Sequence, residues 1–153
     1  MNIDQILVPD RTYANLFASS KKKAIELVSK AISSSLPSLT QGHIYRGLIE
    51  REKLGTTAIG GGVAIPHCRL SRCNNIVGGL FVFDEGIDFS APDERNVNIL
   101  FILLVSEDET SEHLKTLAML ARGFSNPDNR QRLLDAGNNE KLYQAALTIP
   151  VTP

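Results

Sequence analysis

In the segment SSKKKAIELVSKAISSSL, apolar residues fall at Ala24, Ile25, Leu27, Val28, Ala31 and Ile32. That three-to-four-residue spacing lines one face of a helix and predicts an amphipathic helix. Ser19 or Ser20 can cap it, and the run from Ser33 to Pro37 ends it. TQGHIYRGLIEREKLG predicts a second helix, capped by Thr40 and stopped at Gly55. A loop of three consecutive glycines, Gly60 to Gly62, then feeds a short strand-like stretch, VAIPH, that ends on His67. NIVGGLFVFDEGI predicts a β segment with a turn at Asp84-Glu85-Gly86. VNILFILLV is almost continuously apolar and predicts a central strand covered on both faces. ETSEHLKTLAMLARGFSN returns to helical spacing, with Leu114, Leu117, Leu120 and Ala121 on its stripe, and gives way at Asn126-Pro127. NRQRLLDAG and NEKLYQAALTI predict two short terminal helices.

Helices flanking a strand-rich middle predict an α/β (α+β) fold, a mixed β-sheet sandwiched between helices. No internal repeat or low-complexity linker divides the chain, so a single domain over residues 1–153 is expected. With 42% hydrophobic and 22% charged residues, a chain of this length can bury about two-thirds of its unfolded surface. The net charge of -1 gives no overall basic field, so nucleic acid is not an expected partner. VNILFILLV, the longest apolar stretch, is far short of the roughly 20 residues of a membrane helix, and no membrane insertion is expected. MNIDQILVPDRTYANLF lacks the basic-then-apolar layout of a secretory signal. The two cysteines, Cys68 and Cys73, make no disulfide framework; free thiols in a reducing compartment, the cytoplasm, are the simplest expectation.

His67 is the first candidate for chemistry. Pro66 fixes its own φ and restrains Ile65, so the histidine leaves a stiff segment. Gly60 to Gly62 let backbone N–H groups converge without Cβ atoms in the way, one means of making an anion-binding concavity. An imidazole there can act as a nucleophile toward phosphorus. Spacing alone equally allows a flexible turn and a strand-end histidine with no chemistry. His113 borders the apolar stripe of its helix and fits either a core edge or a cleft. His43, early in the second helix, reads as surface. Arg51 belongs to a charged helix face, yet its planar fork suits a phosphoryl group if it leans over the glycine loop. A zinc site at Cys68, Cys73, His67 and His43 is disfavoured, because the C-x4-C spacing is loose and no second cysteine pair follows. The chain has no P-loop, dinucleotide fingerprint or G-x-S-x-G elbow, so no nucleotide cofactor is expected.

REKLGTTAIGGGVAIPH resembles the signature of the enzyme IIA domains of the fructose/mannitol class in the bacterial phosphoenolpyruvate-dependent phosphotransferase system. ILVPDRTYANLFASSKKKAIELVSKAIS, GIDFSAPDERNVNILFILLVSEDETSEHLKTLAMLARGFSN and LYQAAL resemble the same family in order and spacing, so the likeness covers nearly the whole chain. The SKKKAIE helix start, the LIEREKLGTTAIG run and the free-standing length resemble its nitrogen-related, stand-alone regulatory branch. Two positions depart from the pattern: Cys68 stands where relatives often carry glycine, and Gly61 makes the triple glycine unbroken.

The resemblance implies the enzyme IIA type-2 fold and a role for each matching residue. His67 is implied as the phosphorylated histidine, loaded at Nε2 by an HPr/NPr-like phosphocarrier. His113, in the matching HLxxL segment, is implied as the second active-site histidine, and Arg51 as the group that stabilises charge on the transferring phosphoryl. Thr57, Gly60 and Gly62 are the expected phosphoryl-binding loop residues. Neither metal nor other cofactor is implied, because phosphoryl transfer between carriers needs mainly positioning and charge stabilisation. The regulatory branch implies target proteins in nitrogen, potassium and carbon metabolism, such as potassium transporters or sensor kinases. The sugar branch implies instead transfer to a IIB domain for fructose or mannitol uptake.

Overall fold

The computed structural model describes residues 2–108 and 111–150. Its strands are β1 (Thr12–Leu16), β2 (Ala58–Gly60), β3 (Val63–Ala64), β4 (His67–Leu70), β5 (Val77–Ile87) and β6 (Val97–Ser106). Its helices are α1 (Lys21–Ser35), α2 (Gln41–Lys53), α3 (Glu112–Ser125), α4 (Pro127–Leu134) and α5 (Asn139–Leu147), preceded by two 3-10 turns at Ile3–Gln5 and Pro9–Arg11. The strands form one mixed sheet in the order β1-β5-β6-β3-β2, with β4 also paired to β6. β5 and β6 are antiparallel, whereas β1 runs parallel to β5, and β3 and β4 run parallel to β6. Among the described residues no helix is long and apolar enough to cross a membrane.

The sandwich follows from strand alternation. On β6, Leu100, Ile102 and Leu104 enter a core built with Ile25, Val28 and Ile32 of α1 and Ile44 and Leu48 of α2. Ile99, Phe101, Leu103 and Val105 point the other way, into a core with Leu120 and Phe124 of α3, Leu133 of α4 and Leu142 of α5. A strand that feeds two cores cannot carry a polar face, which explains the unbroken apolar run. The helix starts are those the sequence marks: Ser20 accepts from the Lys23 N–H and Thr40 from the His43 N–H, both at 3.1 Å. Such caps stabilise a helix by about 1 kcal/mol each.

Three local expectations change. Asp84-Glu85-Gly86 is not a turn; β5 continues through it to Ile87, and the pairing with β6 shifts register between Val82 and Ile87. An irregular strand lets polar residues sit inside a sheet without ending it. VAIPH is not one strand ending on His67. Pro66 has no N–H to donate and divides β3 from β4, although its carbonyl still accepts from the Leu103 N–H at 3.0 Å, so His67 opens a strand instead. The stripe of α3 is shifted by one position: its buried residues are His113, Thr116, Met119, Leu120, Gly123 and Phe124, and Leu114 is 60% exposed. Glu109 and Thr110, which begin that predicted segment, lie outside the described residues.

Candidate functional site

β4 sets the site by its alternation. Cys68 and Leu70 are buried in the α1–α2 core, where the backbone of Gly47 in α2 lies directly over them. His67 and Arg69 therefore share the opposite face, the first half-buried and the second exposed. β2 pairs only with β3, so it does not flank β4, and α2 and α3 approach there from the two sides of the sheet. The resulting cleft, of about 410 Å3, brings together Arg51 of α2, His67 and Arg69 of β4, and His113 of α3. The exposed Leu54 and Glu50 line it as well.

The His67 ring is anchored by its own strand entry. Nδ1 lies 2.6 Å from the carbonyl oxygen of Ile65. A carbonyl can only accept, so Nδ1 carries the proton and Nε2 of the neutral ring holds a free lone pair. Burial pulls the His67 pKa down from its ordinary value; the Ile65 carbonyl opposes this, Arg51 adds to the lowering, Glu52 opposes it and His113 adds a little more. The lowering favours the neutral ring, whose unprotonated nitrogen is Nε2.

His113 is 8% exposed. Its Nε2 lies 3.5 Å from Nη2 of Arg69, and its Nδ1 is buried without a partner among the described residues. Arg51 donates from Nη1 to the Gly55 carbonyl at 2.9 Å, which holds its guanidinium over the C-terminal end of α2.

Thr57, Gly60 and Gly62 do not line the cleft. Thr57 is buried; its hydroxyl donates to Oε1 of Glu52, and its N–H lies 3.2 Å from the same oxygen. Glu52 is also ion-paired to Lys21 at 2.6 Å, which ties the start of α1 to the end of α2. Gly60 ends β2 and Gly61 and Gly62 form the β2–β3 hairpin turn, with φ values of 93°, 67° and 81° that favour glycine. There the Gly61 N–H donates to Asp93 at 2.8 Å and lowers its carboxyl pKa, and the Gly62 carbonyl accepts from Asn98 and Ile99. A side chain on Gly61 would meet the Arg130 guanidinium at 2.8 Å. The turn is used by the fold on both sides.

Of the remaining polar candidates, His43 lies apart from the cleft and Cys68 borders it while packing into the α1–α2 core. Nε2 of His43, half-buried, is 3.2 Å from the Ser71 carbonyl. Burial, then Cys73 and then Glu50 push the Cys68 thiol up to about 12, and burial also raises Cys73. Among the described residues no group of three or more His, Cys, Asp or Glu is placed to hold a metal. Arg69, which the sequence reading did not single out, joins the cleft. The signal was present in its position two residues beyond His67 on a strand.

A neutral imidazole with a free nitrogen, facing two guanidiniums, fits a transferable group that carries anionic oxygens. The family model described as Phosphoenolpyruvate-dependent sugar phosphotransferase system, EIIA 2, matches residues 5–147. The chain belongs to this family. Its phosphotransfer role and its sandwich fold are those the sequence implied. A Nitrogen regulatory protein of Pseudomonas aeruginosa is 39% identical over 149 residues, covering 97% of each chain. The crystal structure of Nitrogen Regulatory Protein IIA-Ntr from Neisseria meningitidis shares 34% identity with a TM-score of 0.87, covering 94% of this chain and 98% of that one. The mannitol IIA of Escherichia coli, at 16% identity, a TM-score of 0.72 and coverage of 92% and 98%, shares the fold. This EIIA chain is therefore IIA-Ntr-like within a phosphotransfer family whose members work with phosphocarrier and acceptor or regulated proteins.

Proposed function

We propose that the protein takes a phosphoryl group onto Nε2 of His67 from the phosphohistidine of an HPr/NPr-like phosphocarrier in the cytoplasm, and regulates target proteins by its loaded or unloaded state. The observation that carries this reading is the Nδ1–H to Ile65 carbonyl bond, which leaves Nε2 as the nucleophile of a neutral ring. In the transfer, the Nε2–P bond forms as the donor's N–P bond breaks, and the donor imidazole keeps the electron pair of the broken bond. Arg51 balances charge on the equatorial oxygens, and His113 supplies a further contact from α3. The loaded histidine adds roughly -1.5 to -2 charges to the cleft, enough to reverse docking of a partner that covers it. Regulation is favoured over sugar uptake by the nitrogen-regulatory relatives; the expected targets are potassium transporters or sensor kinases.

Incubation with phosphoenolpyruvate, enzyme I and either a sugar-branch or a nitrogen-branch carrier tests the reading. One phosphoryl group is expected on His67, and none on the His67→Ala variant. Equal loading of His67→Ala, or no loading of the unaltered protein by either carrier, overturns it. Onward transfer to a fructose or mannitol IIB domain would place the protein in sugar uptake instead.

A further inference from the structure

Arg69 stands on the same face of β4 as His67, two residues on, and its Nη2 lies 3.5 Å from Nε2 of His113 across the cleft. A guanidinium has donors and no acceptor. Its contact with an imidazole nitrogen therefore selects the ring form with a lone pair at Nε2 and the proton at Nδ1. In His113 that proton lies on the buried nitrogen that has no partner among the described residues. A buried donor without an acceptor is costly, so the ring does not adopt this form for the sake of its own surroundings. The selecting influence comes from the cleft side, from Arg69, which is exposed and free to turn.

We propose that Arg69 is a positioning residue for phosphoryl transfer: it holds His113 as the Nδ1–H form while His67 is empty, and swings onto the phosphoryl oxygens when His67 is loaded. This rests on His67 being the phosphoryl acceptor. With the guanidinium gone, a bare Nε2 lone pair on His113 would face anionic oxygens and repel them. The ring then exchanges protons with water, losing one at Nδ1 and gaining one at Nε2, with no net change. Nε2–H donates to a phosphoryl oxygen, and the arginine fork supplies further donors to the same group. In the unloaded site the arginine donates to the ring; in the loaded site both groups donate to the phosphoryl oxygens.

The experiment reads the His113 tautomer and the transfer rate separately. In nitrogen-15 spectra of the unloaded protein, His113 is expected to be pyrrole-like at Nδ1 and pyridine-like at Nε2, and the reverse in the phosphorylated protein. Arg69→Ala, a change at an exposed position that leaves the core intact, is expected to shift the unloaded ring toward the Nε2–H form. It is also expected to slow loading of His67 by about tenfold to a hundredfold, the scale of one hydrogen bond to a charged group. Arg69→Lys, which keeps the charge and loses the fork, should recover part of the rate. An unloaded tautomer unchanged by Arg69→Ala, or a loading rate within twofold of the parent, overturns the proposal. If the unaltered protein cannot be loaded at all, the acceptor reading and the swing onto the phosphoryl group fall together, while the unloaded spectra still decide whether Arg69 sets the His113 tautomer.

Discussion

The ring of His67 is fastened to the backbone two residues before it: Nδ1 lies 2.6 Å from the Ile65 carbonyl, across the single proline that separates β3 from β4. Pro66 removes the N–H that would otherwise continue the strand, and its fixed φ aims both the Ile65 carbonyl and the imidazole. Because Nδ1 is committed, the phosphoryl group is expected on Nε2, and phosphorus–nitrogen couplings in the loaded protein check this directly. Pro66→Ala should leave the fold standing, since the Pro66 carbonyl bond to Leu103 is a backbone bond that alanine retains. Loading should slow as the ring loses its fixed aim, while the site of attachment stays the same. A loaded Nδ1 in the parent protein would refute the tautomer assignment.

The depressed pKa of His67 gives a pH prediction whose sign is fixed. Burial lowers it from the ordinary 6.5, so below that pH the unfolded chain binds the second ring proton more readily than the native one. The stability contributed by the neutral ring is complete above 6.5 and falls as pH drops below it. The native ring keeps its Nε2 lone pair to a lower pH than a free histidine would. Proton NMR should give a titration midpoint for His67 below 6.5, and His67→Gln should flatten the acid side of the stability curve. A midpoint at or above 6.5 would count against the buried, neutral nucleophile.

Gly47 shows how closely α2 is seated on the strand that carries the site. A methyl group there would lie 2.8 Å from both the Cys68 Sγ and Leu70 Cδ2. Gly47→Ala is expected to destabilise the fold by about 1–3 kcal/mol through overpacking, measurable as a lower denaturation midpoint. The same helix carries Arg51, so loading of His67 should also slow. Trimming the facing side chain, as in Gly47→Ala with Cys68→Ala, should recover part of the stability; no recovery would place the clash elsewhere.

The two cysteines should be slow to react while the protein is folded. The Cys68 thiol, pushed up to about 12 by burial, and the raised Cys73 hold little thiolate near neutral pH. A disulfide-exchange reagent should modify them quickly only after denaturation. Fast native-state labelling of Cys68, which borders the cleft, would show that burial does not protect its sulfur.

The helices were legible because their caps and spacing are local: Ser20 and Thr40 sit where the sequence marks them, and β6 declares two cores by having no polar face. β1 and β2 were not read, because three to five residues carry too little periodicity and their pairing partners are remote in the chain. The one-residue shift on α3 has a physical source. A histidine and a threonine occupy the inward positions, so hydrophobicity alone put Leu114 on the stripe that His113 in fact occupies. His67, Arg51 and His113 were singled out from the chain, and the structure gathers them into one cleft. Arg69 was missed because an arginine in an exposed strand position looks like solubility until its neighbour across the cleft is known.

Thr57 separates a binding role from a structural one. Its position before the glycines suits a phosphoryl donor in sequence, yet its hydroxyl is committed to Glu52 in the interior and it lies off the cleft. Thr57→Val keeps the shape and removes the hydroxyl. Glu52 retains the Thr57 N–H and Lys21, so the carboxylate is not stranded. A stability loss of about 1.5–3 kcal/mol is expected, the scale of one hydrogen bond to a charged group. The rate of loading at His67 should stay within about twofold of the parent, in contrast to Arg51→Ala, which should slow it by about a hundredfold as an anion-stabilising group is lost. Loading assays at a temperature where both variants are folded make the comparison. A Thr57→Val protein as slow as Arg51→Ala, with its stability untouched, would return Thr57 to the phosphoryl site.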